Sequence, residues 1–386
     1  MPKQLYLNHA QLNAEINRCL NCKNQPCMKA CPAGCNPHDF IQYAKNNDFD
    51  KAVKAITQAN PMGQTCGLVC PDKFCMKACT RANIDFSINI PKVQATILEK
   101  YRCNNKKTNI TYNNKKVAVI GAGPAGMAAA EKLANNGFRV AVFEASDKIG
   151  GALNMIPNNR LPFDVIEKDW KFIAQNELIS LHLNAFVANP EHLLQKGFCA
   201  VIVASGEPNC IDLGIEGEEY SISYLDYLKS PDSYLSSGNI AIVGGGAVAT
   251  DCAVTARQNG AENVEMFIRR RICDMRITEE ERKSLIENNI DLTTMTKIKK
   301  ISKTNGKLVL YTCKTHFVNG KLEEIEGTTI QRPNFDMLIK AIGSSAPKCN
   351  DSENIFYAGD CKHGGSTVVE AVASGKDVAQ KVIESF

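Results

Sequence analysis

The stretch KVAVIGAGPAGMAAAEKLANNGFRVAVFE, from Lys116 to Glu144, decides the fold of this chain. After Lys116 comes a short apolar run suited to a buried strand, and then three glycines in the pattern G-x-G-x-x-G: Gly121, Gly123 and Gly126, with Pro124 and Ala125 between the last two. An alanine-rich helical run follows, and a second apolar strand ends at Glu144. Glycines in these places permit a tight turn, let backbone N–H groups approach a pyrophosphate at a helix N-terminus, and let helix and strand pack closely. A carboxylate about twenty residues further on can accept hydrogen bonds from a ribose. The full strand–turn–helix–strand context predicts a Rossmann-like βαβ unit, not a turn that serves packing alone.

A second stretch, NIAIVGGGAVATDCAVTARQNGAENVEMFIRRR from Asn239, has the same plan, with Gly244, Gly246 and Ala249 in the corresponding places and Ala247 opening the helix. Its second strand ends in Arg269, Arg270 and Arg271 where an acid would otherwise stand. Guanidinium groups there suit a 2′-phosphate through bidentate, charge-assisted bonds. With Arg276 close by, this predicts NADPH as the coenzyme, with NADH possible. A solvated basic strand end is the plainer alternative.

Two such units in one chain look like a flavoprotein that binds two dinucleotides. DKIGGALNMIPNNRLP, with Gly150, Gly151 and Arg160, VIVASGEPN, and the late IFYAGDCKHGGSTVVEAVASGKDVA resemble the FAD-binding landmarks of that family. The resemblance implies that Gly359 and Asp360 lie against the ribityl chain of FAD and that the helix beginning at Thr367 and Val368 faces the isoalloxazine. It also implies an α/β fold with a discontinuous FAD-binding domain, 115–235 and 335–386. An NADP-binding domain, 236–334, is inserted between the two parts.

The N-terminal quarter poses a different question. A chain of 386 residues can bury proper cores without disulfides, yet it has 17 cysteines. Nine of them fall between Cys19 and Cys79. The opening MPKQLYLNHAQLN has no apolar core of a signal peptide, and no apolar run approaches the roughly 18 residues of a membrane span. The expected place is the cytoplasm, where thiols stay reduced and cysteine clusters bind metal. A net charge of +4 with dispersed basic residues gives no footprint for nucleic acid. DFIQYAKNNDFDKAVKAI has the apolar spacing of short helices, so residues 1–103 are predicted as a helical domain, followed by a polar linker, 104–114.

The cysteines form two runs: Cys19-x2-Cys22-x4-Cys27-x3-Cys31 followed by Pro32, and Cys66-x3-Cys70-x4-Cys75-x3-Cys79. Both end in the pentapeptide CMKAC. The first resembles the ferredoxin run whose fourth cysteine serves a different cluster from the first three. The repetition makes sense if each pentapeptide sits between two clusters and hands one cysteine to each. Thiolates are soft and anionic, as iron–sulfur clusters require, and eight ligand positions would serve two [4Fe-4S] clusters. A structural zinc site would show compact pairs, often with histidine, and His38 has no matching partner.

RCLNCKNQPCMKACPAGCNPHDFI, NPMGQTCGLVCPDKFCMKACTRA, INIPKVQ and IRRRICDMRITEEE together resemble the N-terminal half of dihydropyrimidine dehydrogenase. They are still more similar to the small, NAD(P)H-oxidising subunit of its two-subunit bacterial form. The glutamate synthase small subunit shares the plan and is the main rival. The resemblance implies one cluster on Cys19, Cys22, Cys27 and Cys79, and another on Cys31, Cys70, Cys75 and Gln94, with Cys35 and Cys66 outside both sets. It implies an electron-input oxidoreductase subunit that takes electrons from NADPH through FAD and the clusters to an FMN-containing catalytic subunit with ferredoxin-type clusters, for reduction of uracil or thymine. A homodimer or heterotetramer is the expected assembly. A stand-alone NADPH:acceptor oxidoreductase remains an alternative, while a non-catalytic scaffold would show degraded motifs. No catalytic triad is expected, because hydride transfer to a flavin needs stacking and orientation. Cys103, Cys199, Cys210, Cys252, Cys273, Cys313, Cys349 and Cys361 read as inert. Cys361 adjoins the flavin motif but has no partner in C-x2-C spacing, so a redox dithiol there is not expected.

Overall fold

A computed structural model describes residues 4–102, 110–206, 209–234, 237–347, 349 and 351–386. Cys103, residues 104–109 of the expected linker and the boundary residues at 235 and 236 lie outside the described residues. The chain divides into two compact units, one of residues 1–208 with 346–386 and the other of residues 209–345.

The first unit opens with short helices: α1 (His9–Asn17), α2 (Pro26–Lys29), α3 (Pro37–Lys45), α4 (Phe49–Ala59), α5 (Gly63–Val69) and α6 (Ile90–Tyr101). Side-chain caps start four of them. Asn8, Asn36, Asp48 and Asn89 each accept a hydrogen bond from the backbone N–H three residues on, which satisfies a donor that has no partner within the helix. Their apolar stripes meet in a core that includes Leu12, Ile16, Phe40, Ile41, Ile56 and Ile97. The helical N-terminal region expected from sequence is therefore present.

The same unit continues as β1 (Lys116–Ile120), α7 (Pro124–Asn135), β2 (Arg139–Phe143), α8 (Phe163–Ile173), β3 (Ile179–His182), α9 (Glu191–Gln195) and β4 (Ala200–Val203). The second unit follows with β5 (Asn209–Cys210), β6 (Ile222–Ser223), α10 (Tyr224–Lys229), β7 (Asn239–Val243), α11 (Ala247–Gln258), β8 (Asn263–Ile268), α12 (Glu279–Glu287) and β9 (Asp291–Thr294). It ends with β10 (Thr296–Thr304), β11 (Lys307–Val318), β12 (Lys321–Glu324), β13 (Ile330–Phe335), β14 (Met337–Lys340) and β15 (Ser344–Ser345). The chain then returns to the first unit as β16 (Ile355–Tyr357), α13 (Asp360–His363) and α14 (Val368–Ser385).

Each unit carries a five-stranded parallel sheet, ordered β16-β4-β1-β2-β3 in the first and β6-β14-β7-β8-β9 in the second. The glycine turn follows a central strand in both, where doubly wound sheets bind dinucleotides. The fold class matches the expectation, and the inserted unit is wider than the 236–334 read from sequence. The reason is β6, which pairs in parallel with β14 and so draws residues before 236 into the inserted sheet. β14 itself belongs to the same sheet, not to the second part of the FAD-binding domain. The antiparallel sheet of β10, β11, β12 and β13 also belongs to this unit. Among the described residues no helix is long and apolar enough to cross a membrane.

A buried ion pair joins the helical region to the first sheet's helices. Arg102, just past α6, and Asp169 on α8 are 4% and 0% exposed and bonded to each other. Asp169 also accepts from the Thr65 backbone N–H at 2.8 Å, and Arg102 donates to the Gln64 side chain at 2.7 Å. Truncating one partner of such a pair leaves a buried charge uncompensated, at a cost of about 3–5 kcal/mol. Asp169→Ala is thus expected to lower the unfolding free energy of the full chain by that much, and Asp169→Asn by less, in denaturant titrations.

Candidate functional site

The first glycine turn is shaped by backbone approach. Gly121 has φ +101°, and a Cβ there would lie 2.4 Å from the Ala204 carbonyl oxygen. A Cβ at Gly126 would lie 1.9 Å from the Gly121 carbonyl oxygen, so α7 packs against the turn only without a side chain. Gly123 differs: an added Cβ would find only the Gly150 oxygen, at 4.0 Å. It faces open space at the mouth of α7, where Pro124 and Ala125 begin the helix. The structure brings the other flavin landmarks to this turn. The Gly150 N–H donates to the Ala122 carbonyl at 2.9 Å, and Gly151 would place a Cβ 3.3 Å from the Gly123 Cα. Gly359 approaches Ala125, with an added Cβ 2.9 Å from the alanine's own. Arg160 sits on the turn after this loop, its N–H donating to the Pro157 carbonyl at 2.8 Å.

Glu144, buried at the end of β2, accepts from the Ala122 N–H at 2.8 Å and from the N–H and hydroxyl of Ser146 at 2.9 and 2.8 Å. It steadies the turn, and its oxygens have lone pairs to spare for a ribose. Asp360 accepts from the N–H and hydroxyl of Ser366, while burial pushes its carboxyl above the usual carboxylate range. Thr367 and Glu370 form a capping box at the start of α14, and Lys73 reaches Glu370 at 3.4 Å.

The nine N-terminal cysteines sort into two cavities. Cys19, Cys22, Cys27 and Cys79 line the first, with His38, Thr80 and Arg81. Cys31, Cys70, Cys75 and Gln94 line the second, together with Cys35, Cys66, Phe74 and Val369. Each CMKAC pentapeptide therefore runs from one cavity to the other, in opposite senses. Its turn is the same both times, with the last cysteine's N–H on the methionine carbonyl at 3.1 Å for Cys31 and 3.0 Å for Cys79. Gln94, largely buried, donates its Nε2 to the Gly63 carbonyl at 2.6 Å.

The chemistry of this donor set fits four-iron clusters. The Cys35 thiol and the backbone N–H groups of Cys35, Ala33 and Gly34 draw the Cys31 thiol down to about 6, against the effect of burial. Burial pushes Cys27 up to about 11 and Cys75 up to about 12. Those two must lose protons to serve as ligands, so loading the site releases protons. Among the described residues no group of three or more His, Cys, Asp or Glu is drawn together closely enough for a single metal ion. A lone zinc would hold its sulfurs about 2.3 Å from itself, whereas a four-iron cluster spreads them over its corners.

Sequence reading missed the polar side chains around these cysteines. The Thr80 hydroxyl lies 3.0 Å from the Cys22 Sγ, and Gln42 donates to the Cys19 Sγ at 3.6 Å. Lys376, on α14, donates to the Ala33 carbonyl at 2.6 Å and to that of Ala59, and burial lowers its pKa. Nothing in the local sequence marks any of the three.

In the second unit, Gly244 has φ +148° and would place a Cβ 2.3 Å from the Ala341 oxygen and 2.9 Å from the Ala249 methyl. Gly246 would meet nothing within 4 Å, and Ala247 opens α11. Of the strand-end arginines, Arg271 is committed to Asp274 and to the ring of Phe317. The Arg276 backbone bridges to this turn, its N–H donating to the Gly245 carbonyl at 3.0 Å. Among the described residues, the side chains of Arg269, Arg270 and Arg276 make no hydrogen bond or ion pair.

Known proteins resemble this chain in both its N-terminal and its dinucleotide-binding regions. Residues 115–375 match the pyridine nucleotide-disulphide oxidoreductase family, and residues 2–106 match the 4Fe-4S cluster domain II of dihydropyrimidine dehydrogenase. The chain is 30% identical to the NAD-dependent dihydropyrimidine dehydrogenase subunit PreT of Escherichia coli K12, over 99% of this chain and 98% of that one. It is 26% identical to the NADP(+)-dependent formate dehydrogenase subunit beta of Moorella thermoacetica, over 92% of this chain and 59% of that protein. In fold it is similar to Mycobacterium tuberculosis FprA in complex with NADPH, with a TM-score of 0.59 at 16% identity, over 70% of this chain and 84% of that one. FAD, a nicotinamide dinucleotide and 4Fe-4S clusters are the cofactors of such a chain.

The open space at Gly123 separates binding from folding. Gly123→Ala is expected to fold with the unfolding midpoint of the FAD-free wild type, while its affinity for FAD, read by flavin fluorescence, drops about tenfold or more, some 1.4 kcal/mol. Gly126→Ala, with no room for its methyl, is expected to lose both.

Proposed function

Because the chain belongs to the pyridine nucleotide-disulphide oxidoreductases and, among them, to the small iron–sulfur subunits of the dihydropyrimidine dehydrogenase type, we propose that it is the electron-input subunit of a pyrimidine reductase. The observation that carries this reading is the pair of pentapeptides spanning two cysteine cavities, with the second cavity closed by Val369 at the start of α14. Such an arrangement suits a chain that moves electrons between a flavin and a partner.

When bound, FAD supplies a two-electron acceptor that can release electrons singly, and four-iron clusters supply one-electron carriers. The protein's part is to hold and orient. Gly121, Gly123 and Gly126, backed by Gly150 and Gly151, would cradle the FAD pyrophosphate, with Glu144 on the ribose. Gly359, Asp360, Thr367 and Val368 would flank the flavin end, and Arg160 would lie on the adjoining loop. Cys19, Cys22, Cys27 and Cys79 would hold one cluster, and Cys31, Cys70, Cys75 and Gln94 the other.

The second unit would bind the nicotinamide coenzyme at Gly244, Gly246, Ala247 and Ala249. The relatives named above differ in coenzyme, one NAD-dependent and one NADP-dependent. Arg269, Arg270 and Arg276 favour NADPH, since each charge-assisted bond to a 2′-phosphate is worth roughly 1.5–3 kcal/mol. The partner would be an FMN-containing subunit with ferredoxin-type clusters, in a cytoplasmic heterotetramer or on a homodimer of this chain, and the final substrate uracil or thymine.

The test is uracil-dependent oxidation of NADPH and of NADH by this chain alone, by a candidate FMN subunit alone and by both together. The chain alone should reduce an artificial one-electron acceptor but not uracil, and the pair should reduce uracil with NADPH preferred. Uracil reduction by the chain alone would contradict the reading. Activity only with a glutamate synthase large subunit would transfer the chain to the rival family.

A further inference from the structure

The two copies of CMKAC are followed by different residues, Pro32 after the first and Thr80 after the second. Pro32 lines the second cavity and has no hydroxyl, whereas Thr80 lines the first and opens the short turn Thr80–Asn83. The Thr80 hydroxyl oxygen is 3.0 Å from the Cys22 Sγ, a sulfur of the ligand set proposed above that lies 58 residues away in the chain. A second polar side chain reaches the same set from α3. Gln42 donates its Nε2 to the Cys19 Sγ at 3.6 Å. Lys45, on the same face of that helix, donates its Nζ to the Cys19 carbonyl at 2.9 Å. The buried side chains of Phe40, Ile41 and Ala44 hold α3 in the apolar core, so a packed helix presents the amide to this sulfur.

We propose that Thr80 and Gln42 donate hydrogen bonds to the ligand sulfurs of Cys22 and Cys19 and thereby raise the reduction potential of the first cluster; the inference rests on the cluster assignment made under the proposed function. A metal-bound thiolate can only accept a hydrogen bond, so the hydroxyl and the amide are the donors. Reduction by one electron adds negative charge that spreads onto the ligand sulfurs. A hydrogen bond to such a sulfur therefore stabilises the reduced cluster more than the oxidised one, and such bonds are among the levers that set cluster potentials. Thr80 and Gln42 are positioning residues: they act through the sulfurs, and neither carries an electron. The closer contact, from Thr80, has the larger effect.

The experiment uses the full chain, purified without oxygen, with iron and acid-labile sulfide counted and the clusters titrated by dithionite under electron paramagnetic resonance. The signal of the first cluster is the one that Cys79→Ser erases. Thr80→Val keeps the shape of the side chain without its hydroxyl, and Gln42→Met keeps the length without the amide; both are expected to retain wild-type iron. At a fixed ambient potential where little of the first cluster is reduced, Thr80→Val should lower its reduced fraction about tenfold, a fall of about 59 mV for one electron. Gln42→Met should lower it about threefold, or about 28 mV on the same scale. The other cluster should not move in either variant, and Thr80→Ser, which keeps the hydroxyl, should stay near wild type. Unchanged midpoints in Thr80→Val and Gln42→Met at full iron would overturn the proposal. An equal fall in Thr80→Ser would overturn it as well, since the effect would then be one of packing. Wild-type protein without iron and labile sulfide, or a Cys79→Ser variant that keeps both signals, would overturn the cluster assignment itself, and the proposal with it.

Discussion

The four-residue step from Cys27 to Cys31, copied from Cys75 to Cys79, is the constraint on which the N-terminal region depends. A helical turn advances about 5.4 Å, so one turn of backbone fixes how near the two cavities can be. Because the copies run in opposite senses, Cys27 shares a cavity with Cys79, and Cys31 shares the other with Cys75. Neither run can build a cavity alone. The helices between them, α3, α4 and α5, exist to fold the second pentapeptide back on the first, and their caps and shared apolar core make that return well defined.

The same region is fastened to the first parallel sheet by polar contacts. Lys376 of α14 bonds to carbonyls of Ala33 and Ala59, Lys73 reaches the capping Glu370, and Asp169 of α8 holds Arg102 and the Thr65 N–H. Partial burial penalises the charged form of Lys376, and its lowered pKa reflects that cost. Such fastenings are weak as a source of net stability and strong as a determinant of register. Here the register they set is that of the second cavity against the start of α14.

Both glycine turns were legible in the sequence because Gly121, Gly126 and Gly244 answer steric demands that no other residue meets, and the βαβ context around them is long and periodic. The cysteine spacing was legible for the same reason: a repeated pentapeptide states a repeated geometry. Short elements were not. β6 is two residues long and carries no periodicity, yet it moves the boundary of the inserted unit. The contacts of Arg102, Asp169 and Lys376 are with partners tens to hundreds of residues away, which local pattern does not encode. Cys35 and Cys66 were set aside because resemblance supplied a complete ligand set, although nine cysteines stood in the cluster region for fewer ligand places. Their position on the cavity wall is a tertiary fact.

The account turns on the crossed sharing of the pentapeptides, and electron paramagnetic resonance of four serine variants tests it most directly. Cys27→Ser and Cys79→Ser should erase one and the same cluster signal, and Cys31→Ser and Cys75→Ser the other, with about half the iron kept in each case. If Cys27→Ser and Cys31→Ser erase the same signal, each run builds its own cluster and the crossed arrangement is wrong.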